Sequence, residues 1–360
     1  MTQAALNPNA DVVELTRAIC DIESVSGNEK ALADAIESVL RQVSHLEVIR
    51  HQDAVVARTN LGRAKRVVIA GHIDTVPVAD NLPTKLLNME RAHVLWGRGT
   101  VDMKAGVAVQ LKLAVEVAEP NVDVTWIFYD HEEVDSSLNG LGRLSRELPE
   151  LLKADFAVLC EPTSALVEGG CNGTMRLEVR FKGVKAHSAR PWMGKNAIHA
   201  AAELLARLSA WEPNEIEVDG LVYRESLNAV LISGGIATNV IPDDVVVTVN
   251  YRFAPSRNAA EAEAYVRSVL GEADSILVTD LAEGARPGLD LPEAVAFVAA
   301  TGTTPRPKYG WTDVARFSAL GIPAVNFGPG DPNKAHADDE AVPVEQIYSV
   351  ESALRAWLTA

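Results

Sequence analysis

Residues 124–133 read VTWIFYDHEE and predict a buried strand that ends in charged side chains. The apolar part is rich in β-branched and aromatic residues and contains neither Gly nor Pro. It stops abruptly at Asp130, His131, Glu132 and Glu133. Two neighbouring carboxylates at the end of a buried strand repel each other and lose hydration. A divalent cation would offset that cost, with one Glu as a ligand and the other as a base. A solvated loop is the alternative.

Two more predicted strands end in candidate metal ligands. Residues 66–77 (RVVIAGHIDTVP) place His72 and Asp74 two positions apart, so in extended backbone both side chains point the same way. An Asp so placed can hold a His in one tautomer for metal binding, although a lone HxD pattern is also common on surfaces. Residues 154–162 (ADFAVLCEP) carry Glu161 before a proline, which restricts the Glu backbone to extended conformations.

Two loops supply the remaining candidates. Residues 96–104 (WGRGTVDMK) put Asp102 before a predicted helix, where it can cap the helix or bridge two cations. The Gly- and Pro-rich loop 328–340 (GPGDPNKAHADDE) follows a predicted strand and carries His336. In open α/β sheets, sites form beyond the carboxyl ends of the strands. The positions together therefore favour one shared cluster over separate surface side chains.

The predicted elements indicate two domains in a chain of 360 residues. The first, residues 1–174 and 286–360, is α/β with a mixed, mainly parallel central sheet flanked by helices. Residues 175–285 are inserted into it in the order strand, helix, strand, strand, helix, strand, which is typical of a ferredoxin-like α+β domain. Near the N-terminus, Ser26 and Glu29 have the spacing of a capping box, which predicts the start of a helix.

Composition limits the function and the compartment. The 49 acidic and 33 basic residues give a net charge of −16, which argues against nucleic acid and anionic membranes as partners. The three cysteines form no CxxC pair and fit a reducing compartment. The N-terminal MTQAALNPNA lacks the features of a signal peptide, and no apolar run of about 18 residues predicts a membrane span. A cytoplasmic protein is therefore expected.

Five motifs occur in an order and spacing that resemble the di-zinc exopeptidase and deacylase family. They are AGHIDTVP, GRGTVDMKAG, the HEE after a strand, the Glu161–Pro162 pair and KAHADDE. The family includes succinyl-diaminopimelate desuccinylases, acetylornithine deacetylases, aminoacylases and glutamate carboxypeptidases. Within it, VEGGCNGTMRLEV, KAHSARPWMGKNAIHAA and YGWTDVARF are similar to the actinobacterial desuccinylases. The resemblance implies a zinc-peptidase catalytic domain with an inserted lid and dimerisation domain.

By this resemblance, the first domain holds two Zn²⁺ ions, with Co²⁺ able to replace them. Two such ions about 3.5–4 Å apart share and activate a water molecule. The family often has a cis peptide after its bridging Asp, here Asp102–Met103. The implied ligands are His72 and Glu161 for one ion, Glu133 and His336 for the other, and Asp102 as the bridge between them.

The resemblance also implies catalytic and substrate-binding residues. Glu132 is the general base, Asp74 orients His72, and His187 stabilises the developing oxyanion by reaching across a homodimer. By residue type alone, His187 would be an exposed loop side chain.

Asn239 and Arg252 match contacts to a substrate carboxylate. One departure concerns the related Gram-negative enzymes, which have two arginines where this chain has Cys171–Asn172. Thr174 and Arg176 lie nearby in sequence and are candidate substrate contacts, with Arg176 as the replacement for the missing arginine.

The implied reaction is hydrolysis of N-succinyl-L,L-diaminopimelate to succinate and L,L-diaminopimelate, in lysine biosynthesis. An acetylornithine deacetylase, another N-acyl-amino-acid deacylase, or a dipeptidase or carboxypeptidase would share every ligand. A non-catalytic binding protein has little support because the ligands and the base are all present. A Ser or Cys hydrolase has little support because the sequence contains no GxSxG motif and no cysteine with a clear activating partner.

Overall fold

The structure is a computed structural model that describes residues 6–89 and 92–360. Residues 1–5, which belong to the N-terminal segment without a predicted signal peptide, and residues 90–91 lie outside that description. Within the described ranges, no helix combines the length and the apolar character that crossing a membrane requires.

The chain forms two compact units. The first consists of Met1–Gly169, Gly288–Arg306 and Arg316–Ala360, and the second of Gly170–Pro287 and Pro307–Ala315. The second unit is therefore larger than the inserted domain predicted from the sequence. That prediction assigned the segment Pro307–Ala315 to the first domain.

Backbone hydrogen bonds account for that difference. The N–H of Cys171 donates to the Ala285 carbonyl at 3.0 Å, and the N–H of Ala285 donates back to Cys171 at 3.1 Å. The N–H of Asn172 donates to the Lys308 carbonyl at 3.2 Å. These bonds extend the second unit before residue 175 and join the segment around Lys308 to it.

The strands and helices are numbered in chain order. The strands are β1 Glu47–His51, β2 Ala54–Arg58, β3 Arg66–His72, β4 Lys85–Met89, β5 Ala92–Trp96, β6 Asp123–Tyr129, β7 Phe156–Leu159, β8 Glu168–Gly169, β9 Gly173–Lys182, β10 Ala186–His187, β11 Glu215–Val218, β12 Leu221–Arg224, β13 Ser226–Gly234, β14 Val240–Ile241, β15 Asp244–Phe253, β16 Ser275–Ala282, β17 Arg306–Pro307, β18 Ala324–Asn326 and β19 Ala341–Pro343. The helices are α1 Val12–Cys20, α2 Lys30–Leu40, α3 Lys104–Glu116, α4 Gly140–Glu147, α5 Ala197–Ala200, α6 Ala202–Ala210, α7 Ala259–Leu270, α8 Pro292–Thr301, α9 Val314–Ala319 and α10 Val344–Thr359.

The first unit is built on a sheet of order β1-β2-β6-β3-β7-β18-β8-β17. The neighbours β6, β3, β7 and β18 are parallel, and β1 and β2 add an antiparallel edge. Strand β6 is buried along its whole length, as expected for a central strand covered on both faces. The predicted mixed, mainly parallel sheet is confirmed. Because these strands are parallel, their carboxyl ends open on the same edge.

Helix α3 packs unusually close to the sheet. It is buried on nearly every face, and a Cβ added at Gly106 would lie 2.3 Å from the carbonyl oxygen of Cys160. Only glycine allows that approach. The contact holds the start of α3, which follows Asp102, against the end of β7, which precedes Glu161.

The second unit contains an antiparallel sheet of order β13-β15-β9-β16. Helices α5 and α6 follow β9 and helix α7 follows β15, so the predicted ferredoxin-like order is confirmed. Burial alternates along β15: Val247, Val249 and Tyr251 face the core, whereas Asn250 and Arg252 lie on the opposite face. The sheet therefore has one apolar face and one polar face.

Candidate metal centre

His72 ends strand β3 and is almost fully buried. Its Nδ1 lies 3.1 Å from the carbonyl oxygen of Asp74 and 3.4 Å from the Asp74 carboxylate. Its Nε2 lies 3.0 Å from Oδ1 of Asp102. Both ring nitrogens are engaged, which orients the imidazole. The backbone carbonyl oxygen of Asp74 therefore lies closer to the imidazole ring than its carboxylate does.

The carboxylate of Asp74 holds the Glu pair. It is fully buried and accepts the N–H of Glu132 and the N–H of Glu133, both at 3.0 Å. The hydroxyl of Ser26 donates to the same carboxylate at 2.6 Å. Asp74 therefore connects the end of β3 to the turn after β6, a role that the sequence analysis did not assign to it.

Asp102 stands between two histidines. Its Oδ1 faces His72 at 3.0 Å and its Oδ2 faces Nε2 of His336 at 3.3 Å. The peptide bond from Asp102 to Met103 is cis, as the resemblance implied. The alternative role as a helix cap is wrong, because the N-cap of α3 is Met103, whose side chain makes no capping hydrogen bond. One carboxylate with an oxygen toward each histidine is suited to bridging two cations.

The structure brings the predicted ligands into two groups that share Asp102. Nε2 of His336 lies 3.0 Å from Oε2 of Glu133. Within each group, one ligand atom per residue lies within 4.8 Å of the others. This donor set of imidazole nitrogens and carboxylate oxygens fits divalent cations such as zinc. The first group contains His72, Asp102 and Glu161, and the second contains Asp102, Glu133 and His336. A further group contains His72, Glu132 and Glu133.

The cluster perturbs the pKa values of its members. Burial works to lower the pKa of His72, but its hydrogen bonds to Asp102 and Asp74 outweigh burial and raise the pKa well above 6.5. Hydrogen bonds to Asp102 and Glu133 raise the pKa of His336 to about 10. Burial raises the pKa of Glu133. Without cations the histidines therefore retain protons as counter-charges, and metal binding has to displace them.

Glu340 is a buried carboxylate beside the cluster and is not among the residues predicted from the sequence. It is fully buried, and its Oε1 accepts the N–H of Val101 at 2.8 Å and the N–H of Asp102 at 3.1 Å. Its Oε2 accepts from the Arg98 guanidinium at 2.8 Å. Glu340 therefore fixes the loop that carries Asp102. The available signal was its place at the end of KAHADDE, where an acidic residue closes the loop of His336.

The remaining predicted residues lie in the second unit. His187 pairs with Val240 between β10 and β14, and the N–H of Ser188 donates to the carbonyl of Asn239 at 2.9 Å, so His187 and Asn239 are neighbours. Both side chains are exposed. Arg252 is half-buried and pairs across the sheet with Thr174.

Arg176 lies on the same face of this sheet. It is opposite Asn250 on β15 and opposite Asp280 on β16. Arg176 and Arg252 are therefore diagonal neighbours on adjacent strands, which keeps their side chains within reach of each other.

Comparison with known proteins identifies the family. Residues 68–360 match the model of peptidase family M20/M25/M40. A succinyl-diaminopimelate desuccinylase of Corynebacterium glutamicum is 47% identical over 360 residues, which is 97% of this chain and 96% of that protein. A protein of Mycobacterium tuberculosis, provisionally named succinyl-diaminopimelate desuccinylase, is 52% identical over 355 residues, or 98% of this chain and 99% of that protein.

Solved structures share the fold. A tripeptidase from Staphylococcus aureus has a TM-score of 0.78 at 20% identity and covers 98% of each chain. A dinuclear metal-binding M20 peptidase from Bacillus subtilis has a TM-score of 0.71 at 17% identity and covers 96% of each chain. This chain therefore belongs to peptidase family M20/M25/M40, a family of metal-dependent hydrolases.

Proposed function

We propose that this protein hydrolyses N-succinyl-L,L-diaminopimelate to succinate and L,L-diaminopimelate, a step of lysine biosynthesis. The observation that carries the proposal is the shared carboxylate of Asp102, with His72 on one oxygen and His336 on the other. Such a site suits hydrolysis of an unreactive linear amide. The choice of substrate rests on the full-length relatives that are named for it.

We propose two Zn²⁺ ions as the cofactor, with Co²⁺ able to replace them. His72 and Glu161 would hold one ion, Glu133 and His336 the other, and Asp102 both. Bound ions would lower the pKa of a water molecule and polarise the amide carbonyl. The chain contributes ligands whose positions are set by hydrogen bonds from other residues before any ion arrives.

Glu132 is the proposed general base. Its N–H is held by Asp74, and its carboxylate belongs to the same group as His72 and Glu133. It takes one proton from water as the water oxygen bonds to the amide carbon. It returns that proton to the amine nitrogen as the carbon–nitrogen bond breaks. One residue therefore serves first as base and then as acid.

His187 is the proposed donor to the oxyanion. The N–H of Ala189 donates to Nδ1 of His187 at 3.1 Å. A ring nitrogen that accepts carries no hydrogen, so in the neutral ring Nε2 carries it. The exposed Nε2–H can then donate to the negative oxygen that develops on the substrate carbonyl. In the proposed homodimer, this contact is made to the site of the partner subunit.

Arg252 and Arg176 are proposed to bind the carboxylate of the succinyl group, with Thr174 and Asn239 as further substrate contacts. Nε of Arg252 donates to Asn250 at 3.2 Å, and within the described ranges Arg252 forms no ion pair. Burial and the neighbouring charge of Arg176 both lower the pKa of Arg252. A bound carboxylate would compensate both guanidinium groups.

We propose a homodimer formed through the second unit. Strand β13 lies at the edge of its sheet. Val230, Leu231 and Ile232 on this strand are 56%, 64% and 51% exposed. An exposed apolar edge strand readily pairs with another chain. These features support the lid and dimerisation role that the resemblance gives to this domain.

We also propose that the enzyme works in the cytoplasm. Cys20, Cys160 and Cys171 are all free and buried. Burial raises the pKa of each thiol, to about 12 for Cys20 and Cys160 and about 11 for Cys171. Inert, unpaired thiols are common in a reducing compartment.

A substrate panel on zinc-loaded protein tests the proposed function. N-succinyl-L,L-diaminopimelate should have the highest kcat/KM, ahead of N-acetylornithine and glycine dipeptides. A higher value for either rival would transfer the assignment to a deacetylase or a dipeptidase. Hydrolysis that survives removal of metal by a chelator would contradict the metal mechanism. Absence of any hydrolysis would favour a binding protein.

A further inference from the structure

The turn after strand β6 is held by carboxylates that lie far away along the chain. The successive N–H groups of His131, Glu132 and Glu133 all donate to carboxylate oxygens. Asp74 accepts the second and third of them, both at 3.0 Å. Glu29 accepts the first through Oε1 at 3.2 Å. Consecutive backbone donors of this kind form an anion-binding nest, and here the anions belong to the protein itself.

The burial of Glu29 is not explained by its own helix. Its side chain is fully buried, and Oε1 also accepts the N–H of Gly27 at 2.9 Å. Glu29 lies at the N-cap of α2, but its side chain does not cap that helix. The predicted capping box is therefore wrong, because Ser26 donates to Asp74 instead. Among the described residues, Oε2 of Glu29 has no hydrogen-bond partner. Burial of a carboxylate with an unsatisfied oxygen reduces stability, so its presence calls for a functional explanation.

His131 indicates what that explanation is. Its φ is +58°, a left-handed conformation that residues with side chains seldom adopt. Glu29 accepts the N–H of His131 in this conformation. Nδ1 of His131 lies 2.7 Å from Oδ2 of Asp130 and 3.4 Å from Oε1 of Glu29. Oδ1 of Asp130 accepts from Arg143 at 2.6 Å. Glu29 therefore contacts both the backbone and the ring of His131, Asp130 contacts the ring, and the next two N–H groups donate to Asp74.

We propose that Glu29 is a positioning residue for the reaction. By holding His131 in its left-handed conformation, it aims the carboxylates of Glu132 and Glu133 into the metal centre. This inference rests on the proposed function, in which Glu132 is the base and Glu133 a metal ligand. Without the Glu29 acceptor, His131 relaxes toward negative φ and displaces both carboxylates, although no ligand has been removed.

Matched variants separate this role from general support of the fold. Glu29→Ala removes the acceptor, whereas Glu29→Gln keeps an oxygen that can accept both N–H groups. Glu23→Ala removes an exposed carboxylate of the same segment and is the control. Glycine adopts positive φ without strain. His131→Gly added to Glu29→Ala should therefore restore activity if the backbone conformation is what Glu29 secures.

We expect Glu29→Ala to lower kcat about 10- to 100-fold with KM changed less than about twofold. Glu29→Gln should stay within about threefold of wild type, and Glu23→Ala should be unchanged. The added His131→Gly should recover about tenfold. Equal losses in Glu29→Ala and Glu29→Gln, or no recovery with His131→Gly, would overturn the proposal. If Glu29→Ala does not fold, Glu29→Met fills the same volume without an acceptor and replaces it.

The visible spectrum of the Co²⁺-loaded protein gives a readout that needs no substrate. Glu29→Ala should alter the ligand-field bands and weaken Co²⁺ binding about tenfold, because Glu133 is displaced. A wild-type protein that does not hydrolyse the succinyl substrate would refute the proposed function, but it would leave this spectral test valid. An unchanged spectrum together with wild-type Co²⁺ affinity in Glu29→Ala overturns the positioning role.

Discussion

Charged side chains are held differently around the candidate metal centre of the first unit and on the polar sheet face of the second unit. In the first unit, the buried carboxylates of Asp74, Glu340 and Glu29 each accept backbone N–H groups from loops that carry candidate ligands. In the second unit, Arg176 lies 3.7 Å from Asp280, and these side chains are 52% and 38% exposed. The first set of charges is buried and fixed by backbone hydrogen bonds of 3.0–3.2 Å, whereas the second is loosely paired and solvated.

This difference matches two different tasks. A metal centre needs ligands that are already in position, because each displaced ligand costs affinity and rate. A surface that accepts a flexible, charged substrate benefits from charges that can exchange one partner for another at little cost, since exposed ion pairs contribute little stability. Variants in the first unit should therefore affect metal binding and turnover, and variants in the second should affect substrate choice.

The largest effect is expected for Glu132→Gln. Gln cannot accept the proton of water, so kcat should fall about 10²- to 10⁴-fold. The metal content should stay at the wild-type value, because Glu132 is not among the proposed ligands. Steady-state kinetics with elemental analysis of the same sample tests both points. Near-wild-type turnover in this variant would remove Glu132 from its proposed role.

Glu340→Gln tests the fixed charges of the first unit. The variant weakens the hold on the N–H groups of Val101 and Asp102 and loses the charge that pairs with Arg98. Metal affinity should fall about 10- to 100-fold, as is typical when a residue that supports a ligand is changed. Zinc competition titration measures this. Asp338→Asn, an exposed acidic residue of the same loop, is the control and should bind zinc normally.

The clustering in this first region could be predicted from the sequence because candidate ligands follow apolar strands. His72 and Glu161 come at or just after such strands, and the order of parallel strands brings them together. The supporting residues could not be found in this way, since their partners are distant in sequence. Glu29 accepts a hydrogen bond from His131, which lies 102 positions away in the sequence. The local spacing that suggested a capping box was overridden by two tertiary contacts, Ser26 with Asp74 and Glu29 with His131.

In the second region, the sequence predicted the chain order of strands and helices but not which side chains are neighbours on the polar face. Burial alternates residue by residue along β9 and β15, so the core side of each strand is set by a local pattern. The diagonal placement of Arg176 and Arg252 depends on the register of two strands, and the pairing of Arg176 with Asp280 depends on a third. Register between distant strands is not visible in one sequence.

Arg176→Gln tests the loosely paired charges. If Arg176 binds the succinyl carboxylate, kcat/KM for N-succinyl-L,L-diaminopimelate should fall about 10-fold or more, the usual loss for a charge-assisted hydrogen bond. The slower hydrolysis of an N-acetyl analogue, which lacks that carboxylate, should not change. Arg180→Gln is the control, because Arg180 lies on the same face of β9 and pairs with Asp244. An equal loss on both substrates would assign Arg176 to folding or dimerisation.

The smallest expected effect is a pair of pH dependences with opposite signs: as the pH rises, the stability of metal-free protein should fall and its apparent zinc affinity should increase. In the metal-free protein, hydrogen bonds to Asp102 and Glu133 raise the pKa of His336 from 6.5 to about 10. The folded state therefore binds this proton more tightly than the unfolded state. The resulting contribution to the free energy of unfolding is complete below about pH 6.5 and is lost as the pH rises toward 10.

Zinc binds only the deprotonated ring, so apparent zinc affinity should increase over the same pH range. Melting temperatures of chelator-treated protein, compared with zinc titrations at each pH, would show the two opposite slopes. In His336→Gln, melting temperature and zinc affinity should both depend less steeply on pH, because Gln does not titrate. Subtracting the variant's curve from the wild-type curve removes the contribution of all other groups. If the metal-free slopes of wild type and His336→Gln coincided, His336 would not be the counter-charge of the empty cluster. The contrast between the candidate metal centre and the proposed substrate surface would then rest on the hydrogen bonds of Asp74, Glu340 and Glu29 alone.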